Sequence, residues 1–413
     1  MAIKKRSRDI VPRCWFNIAP FIKKELGFEV PPALDPKTGG KVDFNKLTRI
    51  LPVELAKQEL SIGKYDLAYN ITIPNEIRKL YKTYRPTPLV RAHGLEKALK
   101  LKNVRIYYKR EDVSPIGSYK LNSSYVQAYY AKKQGVNILV ADTGPGNWGM
   151  GTAMACKAFG INSVIFMEEK NYRAKLKKVK VMRRLGSKVI PIKTKEGTIA
   201  SGISKALELV FDHPKNRLSL GCLTAYSALH NTVIGLELKE QLKDLNIVPD
   251  AMLSVVGGGS SFSGFVFPFI KDYMGKTEFI AVESESVASF TRGKYKYENP
   301  DTVCLMPRAK MYTLGKEFVP RGKLGASGLN YHGKNPLLSL LVNKGIIKAK
   351  AYYPRDVDKL QSFFKRVEGI IPAAESCYAI KGAIEQAKKW NGQDKNVIFL
   401  LTGNDEKISI YTE

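Results

Sequence analysis

An α/β fold of two open, mostly parallel sheets flanked by helices, with an N-terminal extension, is what this sequence predicts. Short apolar runs alternate with longer stretches of helical periodicity, glycine-rich loops follow the apolar runs, and the regularity begins only at Arg85. Alternating strand and helix signals of this kind mark parallel sheets with crossover helices. Residues 1–84 show looser periodicity broken by prolines and read as an extension carrying scattered helices.

Taken in order, residues 85–118 form a crossover that contributes to a C-terminal domain. Residues 120–133 predict a helix, 138–141 a strand, 148–159 a helix of small residues, 163–167 a strand, 172–185 a helix and 188–192 a strand. These fill an N-terminal α/β domain of residues 119–228. Strands at 251–256, 279–283 and 396–401, with a buried helix at 262–270, build a C-terminal α/β domain of residues 229–413. Ligands of open sheets bind beyond the carboxyl ends of the strands, so two facing sheets hold theirs in the cleft between.

Four loops carry the candidate chemistry. Gly117-Ser118-Tyr119-Lys120-Leu121-Asn122 places a lysine at a helix start. A Schiff-base lysine needs a neutral amine, and a helix N-terminus in a low-dielectric surround is expected to depress its pKa. Alone the motif is weak, because most such lysines are solvated surface groups. Gly257-Gly258-Gly259-Ser260-Ser261 follows a strand and precedes a helix, the arrangement that cradles a phosphate with backbone N–H groups. A plain turn does not require three glycines, which carry an entropic cost. It lacks the Gly-Lys-Ser/Thr ending of a nucleoside-triphosphate loop, so a cofactor phosphate suits it better. Asp142-Thr143-Gly144-Pro145-Gly146-Asn147-Trp148-Gly149 offers amides and the Thr143 hydroxyl to a substrate carboxylate. Thr402-Gly403-Asn404 ends a strand, where Thr402 suits either a ring nitrogen or an ordinary turn.

Together these loops resemble the fold-type II pyridoxal-phosphate enzymes. Arg85-Pro86-Thr87-Pro88-Leu89, residues 109–122, the Asp142 loop, His230-Asn231-Thr232-Val233-Ile234-Gly235-Leu236-Glu237, the glycine loop, Tyr331-His332-Gly333 and Glu368-Gly369-Ile370-Ile371-Pro372-Ala373-Ala374-Glu375-Ser376 are similar to tryptophan synthase β chains. Arg13-Cys14-Trp15-Phe16-Asn17, Pro31-Pro32-Ala33-Leu34-Asp35-Pro36 and Met311-Tyr312-Thr313-Leu314-Gly315 resemble the standalone second subfamily, whose members lack the usual α-subunit partner. The resemblance covers nearly the whole chain. It implies pyridoxal 5'-phosphate as cofactor, a homodimer, and no α subunit, and leaves a monovalent cation open.

Carried over by position, it makes Lys120 the Schiff-base lysine, Asn122 the partner of the cofactor phenolate and Gly257, Gly258, Gly259, Ser260 and Ser261 the phosphate cradle. Thr402 faces the pyridine nitrogen, where serine is usual, and Glu368 is a second carboxylate near the ring, or else packing support. A neutral hydroxyl at the ring nitrogen biases the chemistry towards β-elimination and replacement. Thr143, Gly144, Pro145, Gly146 and Asn147 hold the substrate carboxylate. The departures concern substrate and rate. Asp142 stands where the family has a glutamate, one methylene longer; Pro145 replaces an alanine, and Tyr119 a histidine. Asn330 stands where the first subfamily has an aspartate, suited to serine, and the standalone subfamily an arginine, suited to phosphoserine.

Composition agrees. At 413 residues and 44% hydrophobic, the chain supports a substantial core and two domains. It has no run of membrane-spanning length, and its basic N-terminus, residues 1–8, lacks the apolar stretch of a secretory signal. Five dispersed cysteines point to a reducing compartment, the cytoplasm, and four scattered histidines argue against a metal. The net charge of +29 leaves nucleic-acid binding to be weighed, and residues 173–184 hold seven Lys or Arg. No aromatic interleaving accompanies them, and Leu176, Val179 and Met182 form an apolar stripe, so a solvated helix is the better reading. A lysine-rich proteome or attraction of an anionic substrate also accounts for the charge. The expected activity is β-replacement on serine or phosphoserine with indole, giving tryptophan. A related β-replacement or β-elimination with another donor or acceptor, and a weakened paralogue with a binding or regulatory role, stay open.

Overall fold

The computed structural model describes residues 9–60, 68–193, 198–320 and 326–404. The basic cluster at residues 1–8 lies outside the described residues. The extension pairs β1 (Cys14–Phe16) antiparallel with β2 (Asn70–Thr72), with short helices at Ala19–Lys24, Phe44–Ile50, Val53–Leu60 and Asn75–Lys82. Trp15, Ile22, Leu51, Leu55 and Tyr81 are fully buried, so this segment is anchored by its apolar side chains against the rest of the chain.

The crossover supplies β3 (Leu89–Arg91) and β4 (Val104–Arg110). Next come β5 (Ile138–Thr143), β6 (Asn162–Glu168), β7 (Lys188–Ile192) and β8 (Asn216–Ser219), which form a four-stranded sheet in the order β7-β6-β5-β8, parallel throughout. The remaining strands are β9 (Ala251–Val255), β10 (Glu278–Ser284), the antiparallel pair β11 (Lys294–Glu298) and β12 (Ala309–Thr313), β13 (Lys348–Tyr352) and β14 (Lys395–Leu401). The larger sheet runs β13-β10-β9-β14-β4-β3, parallel except where β3 meets β4. All five residues of β9 are buried, as expected of a parallel strand covered on both faces.

A buried charge network ties the crossover to the helix Val233–Asp244. Arg85 reaches Glu237 at 2.6 Å and Glu111 at 3.0 Å, and Lys109 reaches Glu237 at 2.9 Å, all with side chains at 0% exposure. Two of the expected elements differ in ways that bear on the cleft and on the basic segment. β5 runs two residues further than expected, so Asp142 and Thr143 sit on the strand, in register with Phe166 and Met167 of β6. The helix expected at 172–185 is broken at Lys175, with φ −123° and ψ 42°, into Glu169–Ala174 and Leu176–Arg184. That break turns Leu176 outward to 51% exposure and buries Lys178 with Val179, Val181 and Met182.

Candidate active site

The carboxyl ends of β5, β9 and β14 and the turn after β4 open onto one cleft. Its wall includes Lys120, Asp142, Thr143, Gly144, Pro145, Asn147, Gly257, Gly258, Ser261 and Thr402. The lysine turn is fixed to the end of β14, because Tyr119 N–H donates to the Thr402 carbonyl at 3.1 Å and Asn404 N–H to the Gly117 carbonyl at 3.0 Å. Lys120 thereby faces across the cleft, its ammonium 5.7 Å from the Trp148 ring.

Burial pulls the Lys120 pKa down, as the sequence predicts, but Tyr119, Cys222 and Asp142 outweigh it, and the amine lies above its ordinary value. The expected depression is therefore not what these neighbours produce. Burial also acts on Asp142, 6% exposed, and pushes its carboxyl up to about 7 against the lowering effect of Lys120. A carboxyl titrating near neutrality can take up and return a proton.

Strand and helix geometry place the polar wall. Helix Asn147–Phe159 starts after Gly146, which adopts φ +95°, and the Thr143 hydroxyl accepts from Gly149 N–H at 3.1 Å. This is a helix N-terminus with a strand-end hydroxyl beside it, suited to a carboxylate. Across the cleft, Thr402 N–H donates to Ser376 Oγ at 3.2 Å and the two hydroxyls lie 2.8 Å apart. Either hydroxyl can donate in that contact, and Thr402 itself lines the cleft.

The glycine loop fits the phosphate of pyridoxal phosphate. A Cβ on Gly258 would stand 2.7 Å from both Cβ and Sγ of Cys222, and Gly259 adopts φ +109° where a Cβ would stand 2.9 Å from Leu338. Only a backbone without side chains passes here, leaving N–H groups at the start of helix Ser260–Tyr273 for the anion.

Six of the residues singled out from sequence are not on this wall: Asn122, Gly146, Gly259, Ser260, Glu368 and Asn330. Gly146, Gly259 and Ser260 shape its loops. Asn122 is turned away: its side-chain oxygen accepts from Tyr84 and Arg85, and its nitrogen donates to Glu111 and Asn231. Every hydrogen-bonding position of that amide is taken inside the protein. Glu368 instead accepts from Leu95 N–H at 2.7 Å and from the Tyr108 hydroxyl at 3.2 Å, the packing role. The carboxylate that does line the cleft from the same motif is Glu375, which accepts from Gly328 N–H at 2.9 Å. Asn330 lies just behind the wall at 7% exposure, next to the wall residue Leu329. Trp148, Cys222 and Glu375 are wall residues whose roles the sequence reading did not identify. Lys178, buried below Gly146, donates to Asn147 Oδ1 at 2.5 Å.

Among the described residues no group of three His, Cys, Asp or Glu is placed to hold a metal, and no helix is long and apolar enough to cross a membrane. All five cysteines are free thiols.

The family described as pyridoxal-phosphate dependent enzyme matches residues 80–403. The tryptophan synthase beta chain 2 of Thermotoga maritima is 39% identical over 413 residues, 95% of each chain. That of Pyrococcus abyssi is 41% identical over 416 residues, 95% of this chain and 92% of the relative. A fungal L-serine ammonia-lyase from Rhizomucor miehei superposes with TM-score 0.63 at 19% identity, over 79% of this chain and 97% of that one. Threonine deaminase isoform 2 from Solanum lycopersicum gives TM-score 0.62 at 20% identity, over 82% and 90%. At that identity the two solved structures speak for the fold alone.

Proposed function

The chain belongs to the pyridoxal-phosphate dependent enzymes, as a lyase similar throughout its length to tryptophan synthase β chains, and on that premise we propose that it joins a serine-like donor to indole by β-replacement, giving tryptophan. The observation that carries the proposal is the convergence of Lys120, the glycine loop, the Asn147 helix start and Thr402 on one cleft.

When bound, pyridoxal phosphate supplies an aldehyde for the donor's amine and an electron-withdrawing ring next to its α carbon. The chain's own groups do the rest. Gly257, Gly258 and Ser261 hold the phosphate, and Thr402 offers a neutral hydroxyl to the ring nitrogen. Residues 143–147 bind the donor carboxylate, while Lys120 takes the α proton. The donor's hydroxyl or phosphate leaves the β carbon with its bonding electrons, Asp142 removes the proton that indole loses as it bonds there, and Lys120 returns the α proton. The apolar side chains Ile199, Ile203 and Leu220 on the wall suit an aromatic acceptor and keep water from competing with it.

A cytoplasmic homodimer without an α subunit completes the reading, supported by the free thiols and by the likeness of the extension to the standalone subfamily. The test is tryptophan formation by purified protein given pyridoxal phosphate, indole and either serine or phosphoserine. Tryptophan from one donor or both is expected. Release of pyruvate without tryptophan would replace the proposal by β-elimination.

A further inference from the structure

A phosphate loop turns its N–H groups towards the anion, so its carbonyl groups must turn away and find partners behind it. Here one dipeptide, Lys334-Asn335, supplies them. The Lys334 ammonium donates to the Val256 carbonyl at 3.3 Å, and Asn335 N–H donates to the Gly258 carbonyl at 2.8 Å. Those two carbonyls flank Gly257, where the cradle begins.

The side chain of Lys334 is 1% exposed, and its charge is met by Glu283 at 0% exposure, Nζ to Oε1 3.1 Å. Glu283 stands on β10, beside β9, the strand that runs into the loop, and accepts from Phe290 and Thr291 N–H at 3.0 and 3.1 Å. The Phe290 ring lies 5.8 Å from the ammonium. The dipeptide is itself pinned, since Lys334 N–H donates to the Tyr312 carbonyl and Asn335 Nδ2 to the Leu223 and Thr224 carbonyls. Burying an ion pair carries a desolvation cost that an apolar pair of the same size avoids. Lys334 and Glu283 do not reach the cleft wall, so substrate contact does not account for them.

We propose that Lys334 is a positioning residue, a fixed internal cation that holds the loop in its anion-binding shape and makes an added monovalent cation unnecessary there. The proposal rests on reading Gly257 to Ser261 as the phosphate cradle. Removing the ammonium leaves Glu283 charged in a buried space and the Val256 carbonyl unheld, so the loop loses its preference for a phosphate. A small cation that enters the vacated space restores it.

The experiment titrates cofactor-free protein with pyridoxal phosphate and with pyridoxal, reading the visible absorption band, and takes the ratio of the two dissociation constants. Lys334→Ala is expected to lower the preference for the phosphorylated form by about tenfold or more. Ammonium chloride is expected to restore the preference, and tetramethylammonium chloride at equal ionic strength is not. If the single variant does not fold, the double variant Lys334→Met/Glu283→Gln, which leaves no unpaired charge, is expected to show the same loss. An unchanged ratio in the variant that folds, or equal recovery in the two salts, overturns the proposal. A wild-type protein without preference for the phosphorylated form would instead sink the cradle, and the proposal with it.

Discussion

Replacing Asp142 by asparagine keeps the shape of the side chain and removes its proton chemistry. The site is tight: a Cβ on Gly202 would stand 3.2 Å from the Asp142 Cβ and 3.3 Å from Oδ2, so a residue of equal size avoids any steric change. Burial places the Asp142 carboxyl at about 7, with Lys120 as the neighbour that lowers it. Once Lys120 no longer carries its charge, that lowering is gone and the titration moves above 7. A positioned general acid or base accounts for about a hundredfold to ten-thousandfold in rate, roughly 3–5 kcal/mol of barrier. Asp142→Asn is therefore expected to lower kcat/KM for tryptophan formation by that factor, with the visible absorption of bound cofactor retained. In wild type, kcat/KM should rise with pH through a limb at or above 7, because the ionised carboxylate accepts the proton, and the variant should lack this limb. A loss of less than about tenfold, or a limb that survives in the variant, would refute the role given to Asp142.

Other outcomes follow from the buried charges. Arg85→Met leaves Glu111 and Glu237 without their shared guanidinium, so stability in urea should fall by about 3–5 kcal/mol; a loss under 1 kcal/mol, roughly, would show that the network contributes little. His332 is held at about 4 by burial, below the usual 6.5, so the unfolded chain takes up its proton first as pH falls. The stability this group contributes is present above 6.5 and is lost on the way down to 4, about 2 kcal/mol between pH 7 and pH 5. Urea unfolding at the two values should show His332→Gln losing less stability than wild type by that amount, and equal losses would contradict it.

The parts of the site legible in the sequence are those fixed by local chain chemistry. A run of glycines after an apolar strand, a lysine after a small-residue turn and a threonine at a strand end each state their place without knowledge of the rest of the fold. Asn122 was not legible because orientation depends on helical phase. Two residues along a helix is a turn of about 200°, so a helix that points Lys120 into the cleft points Asn122 out of it. Glu368 and Glu375 share one motif, and only the packing of Glu375 against Gly328 from another part of the chain decides which reaches the wall. Cys222 enters the site through contact with Gly258, thirty-six positions away in the sequence, which no local pattern announces. The sheet cores were visible as apolar runs. β8, with the sequence Asn-Arg-Leu-Ser, was not, because it is short, has a single apolar residue and takes its register from β5.

The proposed function depends most on Lys120 being the amine that holds the cofactor in this cleft. Borohydride reduction of the purified protein with pyridoxal phosphate, followed by digestion and mass spectrometry, tests that directly. The reduced cofactor is expected on the peptide containing Lys120, with loss of both the label and the visible absorption in Lys120→Ala. Label on another lysine, or an unlabelled protein that still forms tryptophan, would contradict it.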